Sequence, residues 1–418
     1  MPEPLTARAD TKMKSKWALF QQRNFILLWI GGMFSSFGFY GFTFTEAWYI
    51  VHTLNLEALL GVTYIASSIP RVIFMMLGGI TADRISRSKI LFLSDLSRAI
   101  LLGILMVLLA FSSVSIWTFA GLALFFGMLD AFFWPAQNSL LPDVAPRDQL
   151  TRANSTIQTT NQAATIIAPM VFGFAIAFGN YVMTFGLAAA FLIVSSALVS
   201  FIKVTKRAKN NEENGEGMLA SAKKGLAYVK EIPWLQALMI TSALLNFLLV
   251  GPLQMGLPLF VDNVLQGDAL NYSFLETSAA IGMLIGAIFV GVLNIHKKRG
   301  MFGLGMIVAS SVFFLLFTLG LGTWISFAAI FLFGLALAGS NIVTMSMIQG
   351  RIEDGMMGRV MGILSTASMG LVPVSFAFTS LLLALDLPIN LIMFSGAALV
   401  FLVSLFILIR VPALRKLD

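Results

Sequence analysis

The chain is 418 residues long, with 58% hydrophobic residues, 11% charged residues and a formal net charge of +7. A soluble domain has about 25% charged residues, so a surface this poor in charge cannot face water and the composition indicates an integral membrane protein. The absence of Cys excludes disulfides and thiolate metal sites. The basic residues form short clusters between apolar runs, a distribution that argues against nucleic-acid binding.

Apolar runs long enough to cross a bilayer recur along the whole chain. About 20 mainly apolar residues cross the hydrocarbon layer. The first run is too long for the core of a cleaved signal peptide, so we interpret it as a retained span. The twelve predicted spans begin near Asn24, Leu59, Ile90, Ile116, Ser155, Tyr181, Trp234, Phe274, Met301, Trp324, Val360 and Pro388.

Lys and Arg residues occur in alternate loops and at both ends of the chain. One set of loops holds clusters such as Arg84, Arg87 and Lys89, whereas the other set holds acidic residues and no Lys or Arg. Basic loops stay in the cytoplasm during membrane insertion. We therefore expect a multi-pass protein of the cell membrane with both termini in the cytoplasm.

A long polar stretch separates the first six spans from the last six. It predicts an all-α membrane protein with a six-helix bundle in residues 1–202, a cytoplasmic linker in residues 203–231 and a second six-helix bundle in residues 232–418. The linker from Met218 onwards has apolar residues at helical spacing. This pattern indicates either an amphipathic helix on the inner membrane surface or a solvated helix that joins the bundles.

The two halves share residues at a constant offset. Gly127 and Gly334 are separated by 334 − 127 = 207 positions, and the same offset relates Arg152 to Arg359. Parallel repeats of six spans around a central pathway are typical of alternating-access carriers. The offset therefore favours a transporter built from two related halves.

The loop between spans two and three contains the run Gly79-Ile-Thr-Ala-Asp83-Arg84-Ile-Ser-Arg87-Ser-Lys89. Glycine permits close helix approach, and the basic cluster anchors the loop in the cytoplasm. The run resembles the signature loop of the major facilitator superfamily. This resemblance implies that Gly79, Asp83, Arg84, Arg87 and Lys89 act as a conformational latch.

A longer run begins at Asp130 and reads DAFFWPAQNSLLPD. Together with residues 147–154, residues 224–235 and residues 358–360, it is similar to the macrolide-efflux and enterobactin-exporter branch of that superfamily. The resemblance implies a secondary exporter of amphipathic drugs, macrolides or siderophores, commonly a proton antiporter that gives multidrug resistance. A lipid or lysophospholipid flippase on the same fold is the alternative.

Enzyme function is not expected, because the sequence has no nucleophile–base cluster at a membrane face and no nucleotide-binding glycine-rich loop. The expected partners are a small amphipathic substrate, protons and membrane lipids, with no cofactor, no metal and no nucleic acid. We expect a monomer.

Three ionisable residues lie deep in predicted spans, where charges are costly and usually functional. Arg71 lies twelve positions before Asp83, about 18 Å along a helix, and Asp130 lies at a similar depth. Glu46 lies in the outer part of span one. A carboxylate suits proton coupling, because burial disfavours its charge and a neighbouring cation favours it. We expect proton coupling at Asp130 or Glu46 with Arg71 as partner, or alternatively a fixed structural Arg71–Asp130 pair.

Asp95 and Arg98 lie early in span three, and we interpret them as a pair near the cytoplasmic edge that serves structure or gating.

Aromatic and amide side chains within other spans are candidates for a substrate cavity, because amides avoid lipid and rings can stack on a ligand. Helix packing is their alternative role. These candidates are Phe37, Tyr40, Phe133, Asn138, Gln158, Asn161, Gln162, Asn246, Gln254 and Asn341.

Overall fold

The computed structural model describes residues 18–111, 114–146, 149–203, 218–293, 298–352 and 354–410. Only the backbone is described for residues 18, 76–80, 82–84, 218–223, 225, 354, 355, 358, 365 and 367–369. Every regular element in these ranges is a helix. The all-α fold class predicted from the sequence is confirmed.

Six long helices make up the first half of the described chain. A 3-10 turn precedes the first of them, and a π-helical turn extends it to Thr53. A second 3-10 turn leads into the next helix. The helices are α1 Arg23–Trp48, α2 Leu60–Arg84, α3 Arg87–Ala110, α4 Ile116–Val144, α5 Leu150–Phe178 and α6 Tyr181–Ser200.

Nine helices follow. They are α7 Met218–Glu231, α8 Pro233–Leu245, α9 Gly251–Leu259, α10 Ala269–Leu293, α11 Arg299–Thr318, α12 Thr323–Arg351, α13 Asp354–Gly370, α14 Val372–Ala384 and α15 Ile389–Arg410. Helix α7 is the amphipathic segment that the sequence predicted from Met218. One π-helical turn joins α8 to α9 and a second extends α9 to Val264, which gives one apolar stretch, Pro233–Val264.

Eleven helical stretches in the described ranges are long and apolar enough to cross a membrane, and α14 is a shorter apolar helix. The predicted eleventh span corresponds to α13 and α14, which meet at Leu371. Pro373 lies in the first turn of α14, where a residue without a backbone N–H is tolerated. In a continuous helix from α13 to α14, the same residue would leave one backbone hydrogen bond unmade. The eleventh span is therefore interrupted.

The chain divides by packing into two compact units. Unit 1 is Met1–Thr45, Ala66–Val171 and Gly179–Lys209, and unit 2 is Glu46–Ile65, Phe172–Phe178 and Asn210–Asp418. The ends of α1, α2 and α5 thus group with the later helices. The boundaries of two bundles placed at residues 202 and 232 stay a prediction.

Glycines at the repeat offset have matching surroundings in the two units. In unit 1, Gly127 of α4 faces the backbone of Ser67 in α2, and in unit 2, Gly334 of α12 faces the backbone of Ala279 in α10. A Cβ atom on either glycine would overlap that backbone. Small residues let transmembrane helices approach closely and gain van der Waals contact. The two glycines are separated by 334 − 127 = 207 positions, and each lies where two helices of its unit cross closely.

Candidate functional site

Four charged side chains form a network between α2, α3 and α4 in unit 1. Arg98 Nη2 donates to Asp130 Oδ1 at 3.1 Å, and Arg98 Nη1 lies 3.5 Å from Asp95 Oδ1. Arg71 Nε lies 3.1 Å from Asp130 Oδ2. Two carboxylates thus face two guanidinium groups. The network has no net charge, and this compensation is what makes buried ions tolerable.

Aromatic rings hold Arg98 in the centre of this network. Phe126, Asp130 and Phe133 lie on one face of α4, since residues three and four apart are neighbours on a helix. The Arg98 guanidinium carbon lies 5.8 Å from the Phe126 ring centroid and 5.4 Å from that of Phe133. Phe39 of α1 adds a third ring at 5.8 Å. Cation–π contact therefore supplements the ion pairs of Arg98.

Asp95 is saturated with hydrogen bonds. Ser35 Oγ donates to its Oδ1 at 2.8 Å, and Ser195 Oγ donates to its Oδ2 at 2.6 Å. The residue is fully buried. Asp95 therefore ties α1, α3 and α6 together, and both of its oxygens are occupied.

The two oxygens of Asp130 differ. Oδ1 is bonded to Arg98, which is 1% exposed. Oδ2 accepts no hydrogen bond from the described residues, although Arg71 Nε is close. The Arg71 side chain is 44% exposed. Arg98 is thus a buried counter-charge of Asp130, whereas Arg71 is a largely exposed one.

A small cavity adjoins the network. Aromatic rings, hydroxyl groups and charged groups share its surface. Its lining consists of Ser35, Ser36, Phe39, Tyr40, Arg71, Arg98, Asp130, Phe133 and Trp134. Tyr40 and Phe133, two of the ten residues predicted for a substrate cavity, lie in this lining.

Two other predicted cavity residues of unit 1 contact neighbouring helices. The Phe37 ring packs edge-on against Phe191 with centroids 5.7 Å apart. Asn161, 8% exposed, accepts a hydrogen bond from Ser36 at 3.0 Å. Because Ser36 lines the cavity, Asn161 lies directly behind its wall.

The remaining predicted cavity residues are not part of this lining. Gln162 donates to Thr165 at 3.1 Å and Asn246 donates to the Ser242 carbonyl at 2.8 Å, so both bond within their own helix. The exposed ones are Asn138, Gln158, Gln254 and Asn341. The structure does not bring these six side chains together at the network.

Glu46, the other residue predicted for proton coupling, belongs to unit 2. It is 5% exposed, and its Oε1 has no hydrogen-bond partner among the described residues. It is therefore a buried carboxyl group with surroundings unlike those of Asp130.

The predicted latch is described only in part. The side chains of Gly79, Asp83 and Arg84 lie outside the described residues. Arg87, the first residue of α3, forms an ion pair with Asp143 near the end of α4. Lys89 is exposed.

The depth predicted for Arg98 was wrong, and Glu276 was not predicted as a site residue. Arg98 was interpreted as lying near the cytoplasmic edge, but α3 begins at Arg87, so Arg98 lies about 16 Å along the helix. Its long side chain reaches Asp130. Glu276 was not singled out, although it lies seven residues into α10. The cost of a charge within a span, which identified Glu46, would have identified it.

The side chains in the described ranges contain no group of three or more His, Cys, Asp or Glu residues that could hold a metal ion. Proton exchange and ligand binding are the chemistry that the arrangement around Asp130 supports.

Comparison with known proteins agrees with this arrangement of helices. The family description of the Major Facilitator Superfamily matches residues 28–377. Macrolide efflux protein A of Streptococcus pyogenes is 22% identical over 359 residues, which cover 84% of this chain and 82% of that protein. Enterobactin exporter EntS of Escherichia coli O1:K1 / APEC is 27% identical over 301 residues, covering 69% of this chain and 68% of that protein.

A solved structure shares the fold. The crystal structure of nucleoside transporter NupG superposes with a TM-score of 0.71 at 15% identity, over 94% of this chain and 100% of that chain. The family match extends over most of the chain, and the relatives with named functions are transporters. The chain therefore belongs to the Major Facilitator Superfamily and is a membrane transporter rather than an enzyme.

Proposed function

We propose that this transporter is a proton-coupled exporter of small amphipathic molecules, a multidrug-type antiporter that works by alternating access in the cell membrane. Relatives named for macrolide efflux and enterobactin export support this substrate class. In the proposal the protein acts as a monomer with both termini in the cytoplasm, an orientation that the basic loops favour. Protons drive export, and lipids surround the helices.

The unequal surroundings of the two Asp130 oxygens are the observation that supports proton coupling. With Arg71 beside Oδ2, the four-residue network is neutral. If Arg71 moves away, Asp95, Arg98 and Asp130 together bear one excess negative charge. A proton on Oδ2 removes that charge, and a buried uncompensated charge is expensive. Proton binding and the Arg71 contact are therefore alternatives at one oxygen.

The same arrangement makes proton and substrate exclude one another. Arg71 lines the cavity as well as the network. When Asp130 is protonated, Arg71 is released toward the cavity and its cation occupies substrate space. When the proton leaves, Arg71 returns to Asp130 and the cavity is open to a ligand. An antiporter requires this mutual exclusion.

The latch residues Gly79, Asp83, Arg84, Arg87 and Lys89 control the change of facing in this proposal. The ion pair between Arg87 and Asp143 supports a role for the loop, because it joins the start of α3 to the end of α4. The amide residues near the cavity, above all Asn161, contribute to substrate binding through Ser36.

The test is transport by purified protein in proteoliposomes with an imposed pH gradient. The probes are a radiolabelled macrolide, enterobactin and a fluorescent lysophosphatidylcholine. We expect gradient-dependent accumulation of the macrolide or of enterobactin, which collapses when a protonophore is added. Movement of the lysolipid alone, with no effect of the protonophore, would contradict the proposal and favour a flippase.

A further inference from the structure

Two serine hydroxyl groups line the cavity of unit 1, and both give their hydrogens to other side chains of the protein. Ser35 Oγ donates to Asp95 Oδ1 at 2.8 Å. Ser36 Oγ donates to Asn161 Oδ1 at 3.0 Å. A hydroxyl group has one hydrogen and two acceptor lone pairs. A ligand in the cavity therefore meets both serines as hydrogen-bond acceptors.

Burial maintains the direction of these two hydrogen bonds. Ser35 is 3% exposed and Asp95 is fully buried, while Asn161 is 8% exposed and lies behind the cavity wall. A buried acceptor that loses its hydrogen is costly, so neither serine gains by turning its hydrogen toward the cavity. Asn161 thus determines that Ser36 accepts rather than donates, although Asn161 is not itself part of the lining.

The size of the cavity limits what can enter it. Its volume is about 60 Å³, well below the roughly 300 Å³ of the smaller pockets that enclose a drug-sized molecule. It has room for a head group of a few atoms. Tyr40 and Trp134 also line it, and their O–H and N–H groups can donate to such a head. A hydroxyl group, which both donates and accepts, matches this combination.

The charges of the lining disfavour a charged head group. Arg71 and Arg98 line the cavity with a single carboxylate, Asp130, so a cationic head meets more positive than negative charge. An anionic head would pair with Arg71 most strongly after a proton on Asp130 had released that arginine. Proton and anion would then bind together, which is the opposite of the mutual exclusion in the function proposed above.

We propose that the cavity selects amphipathic molecules by an uncharged hydroxyl group on the head, which donates its hydrogen to Ser36 or Ser35. Asn161 is a positioning residue, because it acts on the ligand only through Ser36. The exclusion of an anionic head rests on the proposed function, whereas the preference for a hydrogen-bond donor is a property of the cavity alone.

Three probes of nearly equal shape test the preference for a donor. Each is a dansyl amide with a four-carbon chain, and the chain ends in a hydroxyl group, a methyl ether or an ethyl group. The ether and the ethyl probe have the same size, but only the ether can accept a hydrogen. Equilibrium binding is measured on purified protein in lipid nanodiscs, with empty nanodiscs as the correction for lipid. We expect the alcohol to bind about five-fold more tightly than the ether, as for one neutral hydrogen bond.

Two variants should reduce this five-fold preference by opposite routes. Ser36→Ala removes an acceptor, so we expect weaker binding of the alcohol and unchanged binding of the ether. Asn161→Ala frees the Ser36 hydrogen, so we expect tighter binding of the ether, to which Ser36 can then donate. The ethyl probe should not gain, because it has no acceptor. Ser200→Ala is the control, since Ser200 is exposed and bonds to the Ala197 carbonyl of its own helix.

These measurements separate hydrogen bonding from simple lack of space. If the ether binds weakly only because it is larger, Ser36→Ala should tighten the ether and the ethyl probe alike, and this result would overturn the proposal. Equal gains of both probes in Asn161→Ala would remove Asn161 as a positioning residue. Equal affinities of alcohol and ether for the parent protein, or no binding of the alcohol, would overturn the proposal without any variant.

Failure of this inference can be told apart from failure of the proposed function, because binding is measured without a gradient. Transport driven by a pH gradient, together with equal affinities for alcohol and ether, would refute selection by a hydroxyl group and leave proton-coupled export standing. A five-fold preference for the alcohol without any transport driven by pH would support the selection and contradict proton coupling.

Discussion

Arg71 Nε and Asp130 Oδ2 lie 3.1 Å apart, yet that oxygen accepts no hydrogen bond from any described residue. The other oxygen of Asp130 is bonded to the buried Arg98. One carboxylate therefore has a fixed cation on one side and an exposed cation on the other. The proton exchange that we propose for Asp130 uses this asymmetry, since Oδ1 keeps its bond to Arg98 while Oδ2 changes partner.

Replacement of Asp130 by Asn should abolish proton coupling but leave substrate binding intact. Asp130→Asn keeps the size of the side chain but cannot take up and release a proton. We expect loss of pH-driven accumulation against a gradient, with downhill exchange of the same macrolide retained. Transport in proteoliposomes measures both, and Asp386→Asn is the matched control. Undiminished uphill transport by Asp130→Asn would make Asp130 structural, and Glu46→Gln would then be the next variant to test.

Replacement of Arg98 should lower the stability of the protein more than replacement of Arg71. Arg98→Met strands Asp95 and Asp130 in a buried site, so we expect a loss of about 3–5 kcal/mol in the free energy of unfolding. Arg71→Met leaves Asp130 paired with Arg98, and in the proposed mechanism a proton on Asp130 replaces the lost half-exposed partner, so its loss should be about 1 kcal/mol or less. Denaturant unfolding in mixed micelles measures both. Equal losses would show that Arg71 is as structural as Arg98.

The ion pair between Arg87 and Asp143 should affect turnover rather than ligand binding. Arg87→Gln and Asp143→Asn should each slow transport, and the double variant should be no slower than either one, since both remove the same pair. We expect an interaction energy between Arg87 and Asp143 of about 1 kcal/mol from the double-mutant cycle, as for a partly exposed ion pair. Lys230→Gln, at an exposed position of α7, is the control. Additive effects in the double variant would exclude coupling between the two residues.

Two glycines of α4 offer a matched test of close helix packing. A Cβ at Gly127 would overlap the Ser67 backbone, whereas a Cβ at Gly121 meets nothing within 4 Å. Gly127→Ala should therefore lower the free energy of unfolding by about 1–3 kcal/mol. Gly121→Ala should be neutral or stabilise by up to about 1 kcal/mol, because Ala favours the helix. Equal stabilities in denaturant unfolding would argue against the α2–α4 contact.

The orientation in the membrane can be tested with single thiols in this cysteine-free chain. Cysteines at Asn211 and at Asp268 lie in a basic loop and an acidic loop respectively, so we expect them on opposite sides of the membrane. An impermeant maleimide added to intact cells should label only the Asp268→Cys protein. Labelling of both proteins from outside would refute cytoplasmic placement of the long linker.

The sequence by itself determined that the chain is a helical membrane protein, because so few charges cannot cover a water-exposed surface and apolar runs of bilayer length recur. It also placed Asp130 and Arg71 at one depth, since a helix rises by a constant length per residue. The resemblance in the loop after α2 and in the Asp130–Asp143 run pointed to the family that the comparison then established.

Only the tertiary structure decided which of these residues meet. Hydropathy locates a residue along a helix, but the rotation of that helix and the identity of its neighbours depend on packing between segments far apart in sequence. This is why Asn161 lies behind the cavity wall while Asn138 and Gln158 are exposed. It is also why Arg98 bonds to Asp130, 32 residues away, and why the Trp48 ring stacks on Tyr272 although their helices are far apart in the chain.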